Sequence, residues 1–153
     1  MKSWGVGTRF VGTAGVISSK RTVLIVEDAV AVRNMLEEFF TRYGYEVLAA
    51  SHPDTALGRL KASAARLDAL ILDIHLDDNR SGLEVLELMR LDDRFVDLPV
   101  IVLTGLATLD SRDIDCIRRN RAHLLYKQEG YEKVFDRLDR IIATSSLPKV
   151  SGL

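Results

Sequence analysis

Thr22-Val23-Leu24-Ile25-Val26-Glu27-Asp28 decides how the rest of the chain is read. Five β-branched or apolar residues in a row suit a strand buried on both faces, as in a parallel sheet. The run stops abruptly at two acids. Beyond them the period changes: Val32, Met35, Leu36, Phe39 and Phe40 recur at the spacing of a helix face over Val30–Tyr43, and Gly44 follows as a C-cap. The stretch therefore predicts a buried strand, an acidic turn and a packed helix.

The same alternation continues outward. Tyr45–Ala49 reads as a second strand, and Ser51, Pro53 and Asp54 open a second helix continued by Ala56, Leu57 and Leu60. Ala69–Leu72 and Leu83–Met89 form the third strand and helix, and Pro99–Leu103 and Leu109–Arg119 the fourth. His123–Tyr126 is the fifth strand, and Tyr131–Ile142 the fifth helix, with Val134, Leu138, Ile141 and Ile142 on one side. Strands alternating with helices through short loops predict an α/β fold: a doubly wound, five-stranded parallel sheet. The folded unit is expected over residues 21–144. Residues 1–20 carry scattered Gly5, Gly7, Gly12 and Gly15 and no sustained period, so a flexible N-terminal tail is expected there. Residues 145–153 are expected to be a short tail, with no room for an output domain.

Composition narrows the function. The 153 residues are 47% hydrophobic and 28% charged, with a formal net charge of -1. That balance lacks the basic excess of a nucleic-acid binder. Arg118, Arg119 and Arg121 are offset by Asp110, Asp113 and Asp115 and read as a solvated helix face. Cys116 is the single cysteine, so an internal disulfide is excluded, and its place in a helical pattern suits packing. No apolar run is long enough to span a bilayer. Val11–Ile17, interrupted by Gly12, Thr13 and Gly15, is not a signal peptide. A cytoplasmic location is expected.

The polar residues are informative by position. Open parallel sheets place function at the carboxyl ends of their strands. Strand one ends in Glu27 and Asp28, strand three in Asp73, strand four in Thr104 and strand five in Lys127. Singly, each reads as an ordinary loop residue, and Asp28 as a cap of the following helix. Together they put three carboxylates, an ammonium and a hydroxyl on one edge. The carboxylates and the ammonium carry a formal charge of -2, which raises carboxylate pKa values or calls for a cation. Mg²⁺ suits such a set, because it takes one or two protein carboxylates together with phosphate oxygens. A carboxylate there can attack phosphorus and form an acyl phosphate.

These residues resemble the receiver domain of bacterial response regulators, over roughly residues 21–144. The likeness is carried by Val23–Asp28, by Leu70-Ile71-Leu72-Asp73, by Val100-Ile101-Val102-Leu103-Thr104-Gly105 and by Lys127, in order and at similar spacings. It implies a flavodoxin-like sheet with strand order 2-1-3-4-5. Asp73 would be the phosphoacceptor. Asp28 would ligate Mg²⁺ directly, Glu27 largely through water, and the His75 backbone carbonyl would add a ligand. Thr104, helped by the Gly105 N–H, and Lys127 would contact the phosphoryl group. The donor would be a phosphohistidine on a sensor histidine kinase or a histidine phosphotransfer protein. A downstream protein target, or a second copy, would use the face of the fourth helix, fifth strand and fifth helix. No partner in the membrane or among nucleic acids is implied.

The sequence also departs from the family. Glu27 stands where Asp is usual. The loop after Asp73, Ile74–Gly82, is one residue longer and lacks its proline. Gln128 follows Lys127 in place of a cis proline; a cis bond before a non-proline costs ~3 kcal/mol, so a trans loop is expected. Arg121 replaces a glycine. Leu124 occupies the position of the switch aromatic, and either Tyr126, on the same strand face, partly substitutes for it or signalling uses the backbone of the Thr104 loop. His75 reads either as a tuner of phosphoryl hydrolysis or as an exposed loop residue, and His52 and His123 read as structural. Two rival readings remain: a receiver-like interaction module that works without phosphorylation, and an unrelated doubly wound phosphatase or nucleotide binder. Against the last, Glu27-Asp28 fills the first turn, where a dinucleotide site needs glycines.

Overall fold

The computed structural model describes residues 20–76, 80–105 and 108–145. The elements run β1 (Thr22–Val26), α1 (Val30–Arg42), β2 (Glu46–Ala50), α2 (Pro53–Ser63), β3 (Ala69–Asp73), α3 (Gly82–Arg90), β4 (Val100–Thr104), α4 (Ser111–Arg119), β5 (His123–Tyr126) and α5 (Tyr131–Ser145). Two single 3₁₀ turns, Asp93–Phe95 and Lys127–Glu129, complete the order. The sheet is parallel with order β2-β1-β3-β4-β5, as expected.

Strand alternation divides the core into two layers. Leu24, Val26, Leu70, Leu72, Val100 and Val102 face α2, α3 and α4, meeting Leu60, Leu86, Met89 and Ile117. Val23, Ile25, Ile71, Ile101 and Leu103 face α1 and α5, meeting Leu36, Phe40, Val134 and Leu138. The three central strands β1, β3 and β4 are buried along their whole length. Both of their faces are covered, which is why they read as unbroken apolar runs.

Local signals explain most of the boundaries. Gly44, at φ 89°, ends α1 in the left-handed conformation, and the Tyr45 N–H returns to the Phe40 carbonyl at 3.0 Å. Ser81 caps α3 by accepting from the Leu83 N–H, and Asp110 caps α4 by accepting from the Asp113 N–H. Two expected caps are not formed. His52, not Ser51, occupies the cap position of α2, because Pro53 takes the first helical position. Ala29, not Asp28, precedes α1, which leaves the Asp28 carboxylate to the sheet edge.

The fourth helix begins at Ser111 rather than Leu109. Leu109 packs on the core from outside the helix, and that contact mimics a helical repeat. The last helix extends to Ser145, beyond the expected Ile142. The tails expected at residues 1–20 and 145–153 otherwise fall outside the described residues, apart from Lys20 and Ser145. Among the described residues no helix is long and apolar enough to cross a membrane.

Candidate functional site

The site is assembled at the carboxyl ends of β1, β3, β4 and β5. Asp73 is the last residue of β3, paired with Leu103 of β4, and Thr104 is the last residue of β4, opposite Tyr126. Glu27 follows β1, its N–H held by the Ala50 carbonyl at 3.0 Å. Glu27, Asp73 and Thr104 are buried, and Asp28 is half-buried. Oxygens of Glu27, Asp28 and Asp73 lie within 4.8 Å of one another. A set of hard, anionic oxygens at that separation fits a divalent cation such as Mg²⁺.

Lys127 joins the acids from the far edge. Its Nζ donates to Glu27 Oε2 at 2.7 Å and to Asp73 Oδ2 at 3.1 Å. Burial works against the ammonium, but the Glu27 hydrogen bond and the Asp73 and Glu27 charges outweigh it and hold its pKa above the ordinary value. Burial, reinforced by the Asp73 charge, pushes Glu27 up to about 7, although Lys127 and the Ala29 N–H favour its ionised form. Ala29 donates to Glu27 Oε1 at 3.0 Å, and the backbone N–H of His75 reaches Asp73 Oδ1 at 3.3 Å.

Glu27, Asp28, Asp73 and Lys127 thus meet at one edge, with Thr104 at the end of the neighbouring strand. The His75 side chain is exposed, while its backbone lies at the site and pairs with Ser81 in an antiparallel bridge. Residues 77–79, between the two bridged residues in the sequence, are outside the described residues. Leu124 is half-buried and packs on the layer that holds α2, α3 and α4. Tyr126, two residues on, is also half-buried, and its N–H donates to Glu129 Oε2 at 3.0 Å. As expected, the Lys127–Gln128 bond is trans, and Lys127–Glu129 winds into a 3₁₀ turn.

Three supporting residues were not anticipated. Arg33 braces the acidic turn by donating to the Glu27 carbonyl at 2.9 Å and the Asp28 carbonyl at 3.2 Å. Gly82, at the start of α3, lies against the Asp73 backbone, and its N–H donates to the Ile74 carbonyl at 2.7 Å. Gln128 donates to the Gly105 carbonyl at 3.0 Å. A glycine in a first helical turn, where it is a poor helix former, is a weak signal for Gly82. Arg33 and Gln128 have no local signal.

Comparison with known proteins identifies the family and the fold. A family model described as the response regulator receiver domain matches residues 23–139. Chemotaxis protein CheY1 of Helicobacter pylori J99 is 34% identical over 83 residues, which are 54% of this chain and 65% of that protein. Transcriptional regulatory protein QseB of Haemophilus influenzae is 34% identical over 120 residues, 78% of this chain and 52% of its own. The chain therefore spans about half to two thirds of these relatives. Among solved structures, chemotaxis response regulator CheY4 of Vibrio cholerae superposes with a TM-score of 0.69 at 26% identity, covering 80% of this chain and 99% of its own. The Francisella response regulator 1452 receiver domain shares the fold at a TM-score of 0.72 and 17% identity, covering 83% of this chain and 100% of its own.

Proposed function

This chain belongs to the response regulator receiver domain family, and from that premise we propose that Asp73 accepts a phosphoryl group from a phosphohistidine. The donor is a sensor histidine kinase or a histidine phosphotransfer protein, and the protein signals in the cytoplasm through contacts with a downstream protein, without touching nucleic acid. In the transfer, the bond from phosphorus to the donor histidine nitrogen breaks as a bond from phosphorus to an Asp73 carboxylate oxygen forms. The histidine nitrogen leaves with the bonding pair and takes up a proton. The product is an acyl phosphate on Asp73.

The observation that carries the reading is Lys127, held between Glu27 and Asp73 at the edge where the three carboxylates meet. Its ammonium is already in contact with the attacking carboxylate and re-aims to an incoming phosphoryl oxygen. Thr104, at the end of the neighbouring strand, supplies its hydroxyl, and Gly105 its N–H. One such preorganised donor is typically worth ~3 kcal/mol of transition-state stabilisation. Glu27, Asp28, Asp73 and the His75 carbonyl would hold Mg²⁺. When bound, the cation neutralises charge on the phosphoryl oxygens and the clustered carboxylates. The same groups support hydrolysis of the acyl phosphate, in which a water oxygen attacks phosphorus, the Asp73 carboxylate leaves and inorganic phosphate is released, so the protein catalyses only its own modification and its removal.

Intact-mass measurement after incubation with Mg²⁺ and a small acyl-phosphate donor tests this. One added phosphate is expected on the wild type, and none on Asp73→Asn or in excess chelator. Equal uptake by Asp73→Asn would overturn Asp73 as the acceptor, and none by the wild type would leave an interaction module that works without phosphorylation.

A further inference from the structure

The turn Lys127–Glu129 gives each of its side chains a different partner. Lys127 reaches Glu27 and Asp73. Glu129 accepts from the Tyr126 N–H and from Lys133 Nζ, each at 3.0 Å. Gln128 reaches across to the Gly105 carbonyl at 3.0 Å. Gly105 directly follows Thr104, so two adjacent residues of one turn hold the end of β3 and the carbonyl of the first residue beyond β4.

The turn is closed at both ends and tied to α5. The Tyr126 N–H bond to Glu129 closes its entrance, the Gly130 N–H bond to the Lys127 carbonyl at 3.3 Å closes its exit, and Lys133 of α5 ties Glu129 to the helix. By contrast, the residue in the usual transmitting position, Leu124, carries no polar group and packs against the core.

Resting on the phosphoacceptor reading above, we propose that Lys127 and Gln128 act together as a relay from Asp73 to the loop after β4. Lys127 responds to the charge added at Asp73, and Gln128 passes the displacement of the turn to the Gly105 carbonyl. Gln128 is a positioning residue: it touches neither Asp73 nor the phosphoryl group. It acts by holding the Gly105 carbonyl, on the residue that follows Thr104.

The test follows amide hydrogen exchange at Gly105 and Thr108–Asp110 in the full chain, alongside intact mass, with and without Mg²⁺ and an acyl-phosphate donor. In resting protein, Gln128→Ala is expected to speed exchange at Gly105 and Thr108 relative to wild type. After treatment it should still gain the phosphate on Asp73, but without the wild-type change in exchange across these amides. Gln128→Arg, which keeps a long donor, should restore that change. Resting exchange in Gln128→Ala equal to wild type overturns the tie itself. A phosphorylation response in Gln128→Ala equal to wild type overturns its role as a relay. A wild type that takes no phosphate overturns the phosphoacceptor reading and the relay with it, while the resting comparison still reports on the tie.

Discussion

Gly82 sits where no side chain fits. A β-carbon there would stand 1.8 Å from the Asp73 carbonyl oxygen and 2.9 Å from its carbonyl carbon, both backbone atoms with no flexible end to yield. Gly82→Ala is expected to destabilise the fold by about 3 kcal/mol, read from the urea midpoint, and to slow phosphate uptake because the residue displaced is Asp73. The sequence shows Gly82 only as a poor helix former at a helix start; its contact with β3 joins segments on either side of a loop. Cys116 is a residue whose sequence reading carries over intact. It is buried in the layer beneath α3 and α4, and burial, helped by the Glu87 charge, pushes its thiol up to about 11. The thiol is expected to resist alkylation at mildly alkaline pH and to react readily in urea, as followed by mass.

At the scale of elements, the turn from α4 into β5 carries a backbone cost. Arg121 has φ 51°, the left-handed region that favours glycine, at the position where the family places one. Its side chain offsets part of that cost by bonding the Val96 carbonyl and lying 3.5 Å from Asp97. Arg121→Gly and Arg121→Ala both remove those contacts, so their difference isolates the backbone. The glycine variant is expected to be the more stable by about 1 kcal/mol in chemical denaturation. Between α1, β2 and α5, Phe40 is fully buried, with Tyr45 at 5.3 Å and Phe135 at 6.1 Å between ring centroids. Phe40→Ala is expected to cost about 4 kcal/mol by the same measurement. Its place on the inner face of α1 was legible from periodicity. The start of α4 was not, because Leu109 meets the core without belonging to the helix.

At the scale of the whole molecule, the clustered acids link stability to pH. Without a cation, the Glu27 carboxyl in the folded protein titrates at about 7, against an ordinary 4.5. Between those values the folded state holds a proton that the unfolded chain has released. The Glu27 contribution is therefore fully present below about 4.5, falls as pH rises, and is lost above about 7. Urea midpoints in chelator are expected to decline across that window, and Glu27→Gln should flatten the decline. Mg²⁺ should raise the midpoint at neutral pH with the logarithm of its free concentration once that exceeds the dissociation constant.

The amino-acid sequence by itself determined the order of elements, the parallel character of the sheet and the chemical groups that end its strands. Those are local properties: burial on both faces yields an unbroken apolar run, burial on one face yields a helical period, and the polar residue that ends a run is read directly. The tertiary structure alone decided how those groups meet. Lys127 and Glu27 are 100 residues apart in the chain yet 2.7 Å apart at the site. Gln128 is bound to Gly105, and Gly82 lies against Asp73. Such distances depend on the register of four strands and the packing of the helices that cross between them, which no local pattern encodes. The acids, hydroxyl and ammonium from which phosphoacceptor chemistry is proposed were therefore visible at the strand ends, whereas the bond from Gln128 to Gly105 became visible only with the fold.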